Sequence, residues 1–301
     1  MHPGRTLTDI LREALTGAAA SSTACVFSNP LDTIRVRTQL QQGPGGLPTA
    51  PLKAMMIVAE REGALALWRS LPEAIVYNAV LNSMRFSLYS VLTAGALQSE
   101  AVTPAVGGFI AGAIAGAIAS PLAKARTVAQ RESGHAKVAR TSTWKALSSN
   151  PFAGSASWSL RNGGHTGIIF SCYERFRRDL RVALPWLPAT AHSLLASLGA
   201  SSLSCVAVNP LDVVATRLFA QAAEQSAQPA LACSCVGSAH GVLIAPPVYY
   251  SSTMDVVVKT VLDEGVVGLW KGLAANIARI VPHTCLTFAI VETIRSRTVR
   301  Q

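Results

Sequence analysis

Long uncharged stretches alternate with short charged ones along this chain. Residues Ala14 to Leu31, Ala101 to Ala123 and Val182 to Leu211 contain no Asp, Glu, Lys or Arg. An α-helix needs roughly 20 apolar residues to cross about 30 Å of hydrocarbon, so each run is read as a membrane-spanning helix. Each ends on one phrase: Pro30-Leu31-Asp32-Thr33-Ile34-Arg35, Pro121-Leu122-Ala123-Lys124-Ala125-Arg126 and Pro210-Leu211-Asp212-Val213-Val214-Ala215. The three prolines lie 91 and 89 residues apart. Self-similarity at such an interval predicts three tandem units, bounded at 10–97, 100–184 and 188–299, with the middle one degenerate.

A second motif follows each phrase. Glu62-Gly63-Ala64-Leu65-Ala66-Leu67-Trp68-Arg69-Ser70 recurs as Glu264-Gly265-Val266-Val267-Gly268-Leu269-Trp270-Lys271-Gly272, and Phe152-Ala153-Gly154 is its remnant in the middle unit. Another apolar helix follows each, carrying an arginine at depth: Arg85, Arg161 or Arg279. The predicted fold is therefore all-α, with six transmembrane helices in three pairs. Pro30, Pro121 and Pro210 are expected to kink the first helix of each pair near its end, because proline removes a backbone donor and its ring clashes with the preceding turn. Gly108, Gly112 and Gly116 form a ridge on which a neighbouring backbone can pack. Pro210 to Gly265 is 55 residues against 33 from Pro30 to Gly63, and the excess, about 221–252, is read as a loop insertion.

Composition supports a membrane class. Half of the 301 residues are hydrophobic and 14% are charged, too apolar for two soluble domains. The net charge of +10 falls on basic residues just after the apolar runs, which suits membrane lipids, anionic ones such as cardiolipin among them, and not nucleic acid. Four of the six cysteines sit in apolar segments as small hydrophobes, so no disulfide framework is implied. Cys233 and Cys235 lack the spacing and the second pair of a zinc site. No metal or cofactor is expected. Paired carboxylates, a nucleophile with its base and a phosphate loop are also missing, so the chain is not read as an enzyme. Asp9 and Glu13 interrupt any basic leader, and targeting is expected to be internal.

These motifs resemble those of the mitochondrial carrier family. Its phrase has a proline, then an acidic residue and two basic ones, and its second motif has an acidic residue and glycine followed by an aromatic, a basic residue and glycine, three times over. Arg279-Ile280-Val281-Pro282-His283-Thr284 is similar to the sixth helix of the oxaloacetate and sulfate type carriers. The resemblance implies a threefold pseudosymmetric bundle with short helices on the matrix side and one central site. It also implies alternating access across the mitochondrial inner membrane by a monomer. By the family's cyclic pairing, Asp32 would meet Arg126 and Asp212 would meet Arg35 in a matrix gate. The third pair would be Ala123 with Ala215, both uncharged, so the gate is expected to open more readily; Lys124 as a surface cation and a chance double loss are the alternative. Glu174, Arg177, Glu292 and Arg295 would belong to a cytosolic gate.

Nine residues past the aromatic of each second motif stand Tyr77, Arg161 and Arg279, which match the family's substrate contact positions. Arginine in a membrane helix costs at least about 2.5–3.5 kcal/mol on insertion scales, so it should face a wet cavity or a partner. Two guanidinium groups aimed at one point suit a small anion. Arg85, about 12 Å farther along its helix, would add a third charge near the cytosolic mouth. His165 and His283 stand one turn beyond the contact arginines, where contact with the anion, proton carriage and plain helix packing all stay open. The pair Arg161-Asn162 resembles the family's keto acid and carboxylate class. Transport of a dicarboxylate, a keto acid such as oxaloacetate, or sulfate is thus the leading expectation. A carrier of another substrate class and a non-transporting scaffold remain beside it.

Overall fold

The computed structural model describes residues 7–41, 47–95, 103–131, 148, 150–231 and 250–299, and among these the regular structure is helical throughout. The helices are α1 (Leu7–Leu40), α2 (Pro51–Glu62), α3 (Leu71–Gly95), α4 (Pro104–Arg131), α5 (Ser155–Ala183), α6 (Ala189–Leu231), α7 (Thr253–Glu264) and α8 (Leu273–Val299). The long helices pack in chain order, α1 on α3, α3 on α4, α4 on α5, α5 on α6 and α6 on α8, and α8 returns to α1. The result is a closed ring. Among the described residues, α4 and the Ala189–Ala223 part of α6 are long and apolar enough to cross a membrane.

The α4–α5 joint shows why small residues sit where they do. Gly108, Gly112 and Gly116 are turned towards α5, and a Cβ on Gly112 would lie 2.5 Å from the Asn162 carbonyl oxygen. Val106, Ile110, Ile114 and Ile118, at four-residue spacing on the same helix, are exposed. One face is thus packed backbone to backbone, and another offers an apolar stripe.

The three prolines lie inside their helices and do not end them: α1 runs on to Leu40, α4 to Arg131 and α6 to Leu231. Proline leaves the carbonyl four residues earlier without its helical donor. Trp68 Nε1 donates to the Val26 carbonyl at 2.8 Å, and Trp270 Nε1 donates to the Val206 carbonyl at 3.1 Å. These are the acceptors that Pro30 and Pro210 orphan, so the second motif's tryptophan repairs the first motif's break. Phe152, in the same register of the middle unit, has no N–H to offer. Trp68→Phe and Trp270→Phe are each expected to lower stability by about 1 kcal/mol, the net worth of one hydrogen bond, seen as a lower thermal midpoint in detergent.

A second tie joins the same elements. Asn29 Nδ2 and Thr33 Oγ1 both donate to the Leu67 carbonyl, at 2.9 and 3.0 Å, and Asn209 Nδ2 donates to the Leu269 carbonyl at 3.0 Å. The middle unit has Ser120 in place of the asparagine, and Lys124 Nζ reaches the Asn150 carbonyl at 2.8 Å instead. Lys124 is 0% exposed, so it is a buried tie and not a surface cation.

The expected loop insertion begins as helix, because α6 continues through Leu231. The Gln221 side chain holds Tyr250, donating to its carbonyl at 2.8 Å and accepting from its N–H at 2.6 Å, and this brings the chain back to α7. Cys233 and Cys235 lie outside the described residues.

Candidate functional site

Inside the ring lies a cavity of about 180 Å³, lined by residues of α1, α3, α4, α5, α6 and α8. Five arginines line it, Arg35, Arg85, Arg126, Arg161 and Arg279, together with Asp32, Tyr77, Trp158, His165 and His283. Helical spacing carries them there. Tyr77, Leu81 and Arg85 recur along one face of α3, and Arg161 and His165 lie one turn apart on α5 as Arg279 and His283 do on α8.

One end of the cavity is closed by charge. Asp32 is in contact with Arg126, accepts from Gln130 Nε2 at 2.7 Å, and has Arg35 and Arg279 each at 3.6 Å. Asp212, wholly buried, meets Arg35 Nη1 at 3.1 Å and accepts from Arg161 Nε at 2.9 Å and Gln39 Nε2 at 3.3 Å. The structure therefore brings together both charged pairs of the cyclic register and adds a contact arginine to each aspartate. The guanidinium groups of Arg126 and Arg161 also lie over the rings of Tyr77 and Trp158, 5.3 and 5.2 Å from the centroids.

The third edge of this end is apolar. Ala123 and Ala215 are buried in one cluster with Tyr77, Leu81, Trp158 and Phe219. Trp158 stands between the other two rings, 6.0 Å from Tyr77 and 5.4 Å from Phe219. Gln39, Gln130 and Phe219 each follow their proline by nine residues. In two units this position braces an aspartate, and in the third it packs against an aromatic ring.

Beneath the aspartates, further arginines join the units through backbone carbonyls. Arg37 Nε donates to Gln130 O at 3.0 Å and Arg217 Nε to Gln39 O at 3.1 Å. At the remaining joint Val128 replaces the arginine, and Arg131 Nη1 donates to Ala220 O at 3.3 Å. Arg37 also grips Glu62, and Arg217 grips Glu264 at 2.7 and 2.9 Å. These acids are the ones in the Glu-Gly of the second motif, whose glycines, Gly63 and Gly265, turn the chain at φ 87° and 74°. Gln39, Gln130 and the two arginine–glutamate ties are absent from the sequence prediction, although the repeat register marks them.

Asn162 is wholly buried: it packs against Gly116 of α4, donates to the Trp158 carbonyl at 2.8 Å and accepts from Arg161 Nη1 at 3.4 Å. On the opposite side, Arg177 pairs at 3.1 Å with Glu174 of its own helix. That pair is largely exposed and worth little. The side chains of Glu292 and Arg295 lie outside the described residues. The histidines reach across to serines, His165 Nδ1 to Ser204 Oγ at 2.7 Å and His283 Nδ1 to Ser28 Oγ at 3.3 Å, which pins each ring to a neighbouring helix.

Known proteins are similar to this chain over nearly its whole length. The chain is 28% identical to the mitochondrial oxaloacetate transport protein of Saccharomyces cerevisiae, over 93% of this chain and 90% of that one. It is 27% identical to the mitochondrial thiamine pyrophosphate carrier 1 of Eremothecium gossypii, over 94% and 87%. It is 23% identical to the mitochondrial citrate transporter E of Aspergillus niger, over 92% and 90%. The family model described as mitochondrial carrier protein matches residues 8–100 and 188–301, most of the chain and both well-kept units. The chain therefore belongs to the mitochondrial carrier family, transporters of the mitochondrial inner membrane.

Proposed function

We propose that this protein carries a small carboxylate anion across the inner membrane by alternating access. The observation that carries this reading is the cavity itself, where five arginines line a space whose acidic groups are already engaged at its closed end. In this reading α1, α3, α4, α5, α6 and α8 span the membrane as three pairs. The exposed Leu52 and Met56 of α2 and Met254, Val258 and Leu262 of α7 rest these helices on lipid. Asp32, Arg35, Arg126 and Asp212 form the matrix gate, shut in this state. Arg161, Arg279, Arg85 and Tyr77 receive the anion, with His165 and His283 beside them.

Substrate choice follows from charge. An ammonium group would need a free carboxylate, and Asp32 and Asp212 are already held by arginines. The names of the oxaloacetate and citrate relatives fit a carboxylate, and that of the thiamine pyrophosphate carrier marks the competing class. A thermal-shift screen of purified protein against oxaloacetate, malate, malonate, sulfate, phosphate, ADP and thiamine pyrophosphate tests the reading. Stabilisation by one or more carboxylates is expected. Stabilisation by ADP or thiamine pyrophosphate alone would overturn it, and so would stabilisation by none.

A further inference from the structure

The number of charges the cavity is built to receive can be counted. Its five arginines face Asp32 in the lining and Asp212 immediately beneath, an excess of three positive charges. The aspartates are engaged by part of this set, and Asp32 Oδ1 is itself left without a hydrogen bond. Asp212 already takes Arg35 and Arg161, and Asp32 takes Arg126 and Gln130. Four of the guanidinium groups show the shortfall directly: the Nε atoms of Arg35, Arg85, Arg126 and Arg279 are buried without a hydrogen-bond acceptor. The nearest carboxylate oxygen to two of them, Asp32 Oδ1, stands 3.6 Å from Arg35 and from Arg279, beyond hydrogen-bond reach.

Buried charged donors without acceptors are costly, and several on different helices around one cavity mark the place of a ligand that supplies acceptors. Arg85 sets the shape of that ligand. It has no acidic partner among the described residues, and it lies about 12 Å along α3 from Tyr77, away from the closed end. The other free donors cluster with the aspartates at the closed end. A dianion seated there satisfies the lower arginines and leaves Arg85 bare. An anion with a third charge farther along a short backbone satisfies both levels and cancels the excess.

We propose that the cavity selects tricarboxylates over dicarboxylates, and that Arg85 is the specificity-determining residue holding the third carboxylate. The proposal rests on the reading of this cavity as an anion carrier's site. The test compares propane-1,2,3-tricarboxylate with methylsuccinate, which lacks only one terminal carboxylate, as competitors for exchange by the full chain in liposomes and as stabilisers in detergent. The tricarboxylate is expected to bind at least about tenfold more tightly, the effect of one added charge-assisted hydrogen bond. Arg85→Gln is expected to bring the two within about twofold, and Arg85→Lys to keep most of the difference. Equal affinities in the wild-type protein would overturn the proposal while leaving the carrier reading intact. A preference that survives Arg85→Gln would overturn the role of Arg85, and a stronger response to phosphoglycolate, an equally charged phosphate ester, would overturn the carboxylate assignment. Binding of none of these anions would remove the carrier reading together with the proposal. The comparison in wild-type protein is decisive even where the Arg85 variants fail to fold.

Discussion

Asp212→Asn is expected to abolish exchange and to lower stability by about 3–5 kcal/mol, the cost of leaving buried charge without its partner. Asp212 is 0% exposed, and its carboxylate lies between Arg35 at 3.1 Å and Arg161 at 2.9 Å. The substitution keeps the shape and removes the charge, so both guanidinium groups would face each other across a neutral amide. Arg35 comes from α1 and Arg161 from α5, and both meet Asp212 on α6, so losing this carboxylate loosens joints between different units. Thermal unfolding in detergent and counter-exchange in liposomes read the two effects separately. An Asp212→Asn protein that unfolds at the wild-type midpoint and exchanges normally would show that this end of the cavity is not a gate.

The apolar third edge changes what a missing ion pair means. Two pairs instead of three suggest a weaker closure when only charges are counted. In the structure Ala123 and Ala215 are buried among Trp158, Phe219 and Tyr77, so the edge is packed and not vacant. Replacing a buried ion pair by packed apolar groups is commonly neutral or stabilising by about 1–4 kcal/mol, because two charges no longer need to leave water. Asp212 recruits Arg161 as well. The closed end therefore need not open more readily than one with three pairs.

Register within the repeat made much of this site legible. Counting from each proline puts Asp32 with Asp212 and Arg35 with Arg126 at equivalent positions, which the family resemblance joins as Asp32–Arg126 and Asp212–Arg35, and the positions counted from each aromatic, Tyr77, Arg161 and Arg279, line one cavity. Gln39 and Gln130 obey the same count, but an uncharged amide carries no charge pattern that marks it in the sequence. Other features need three dimensions. The Trp68 and Trp270 hydrogen bonds depend on which carbonyl a proline orphans and on which indole lies beside it. The segment after Gln221 reads as a loop insertion from its excess length over the first unit, yet Ala, Gln and Glu are strong helix formers, and α6 continues through its start to Leu231.

Arg279→Ala is expected to abolish uptake, with a stability signature opposite in sign to that of Asp212→Asn. Arg279 lines the cavity, keeps an Nε without acceptor, and approaches Asp32 Oδ1 no closer than 3.6 Å, while Arg126 and Gln130 hold the other oxygen of that carboxylate. Its hydrogen bond is a long one, Nη2 to Asn276 Oδ1 of its own helix at 3.3 Å. Removing it thus breaks no strong tie and takes one positive charge from a crowded set of five, which relieves like-charge repulsion in a low-dielectric surround. The ligand-free protein should unfold at the wild-type temperature or somewhat above it. The same change removes a charge-assisted contact to the anion, worth about 1.5–3 kcal/mol, so the stabilisation by carboxylates should fall by at least tenfold in concentration dependence. The joint result, a stable protein that no longer responds to anions, is what a binding arginine produces. A ligand-free protein that is strongly destabilised would instead make Arg279 a structural tie of the bundle.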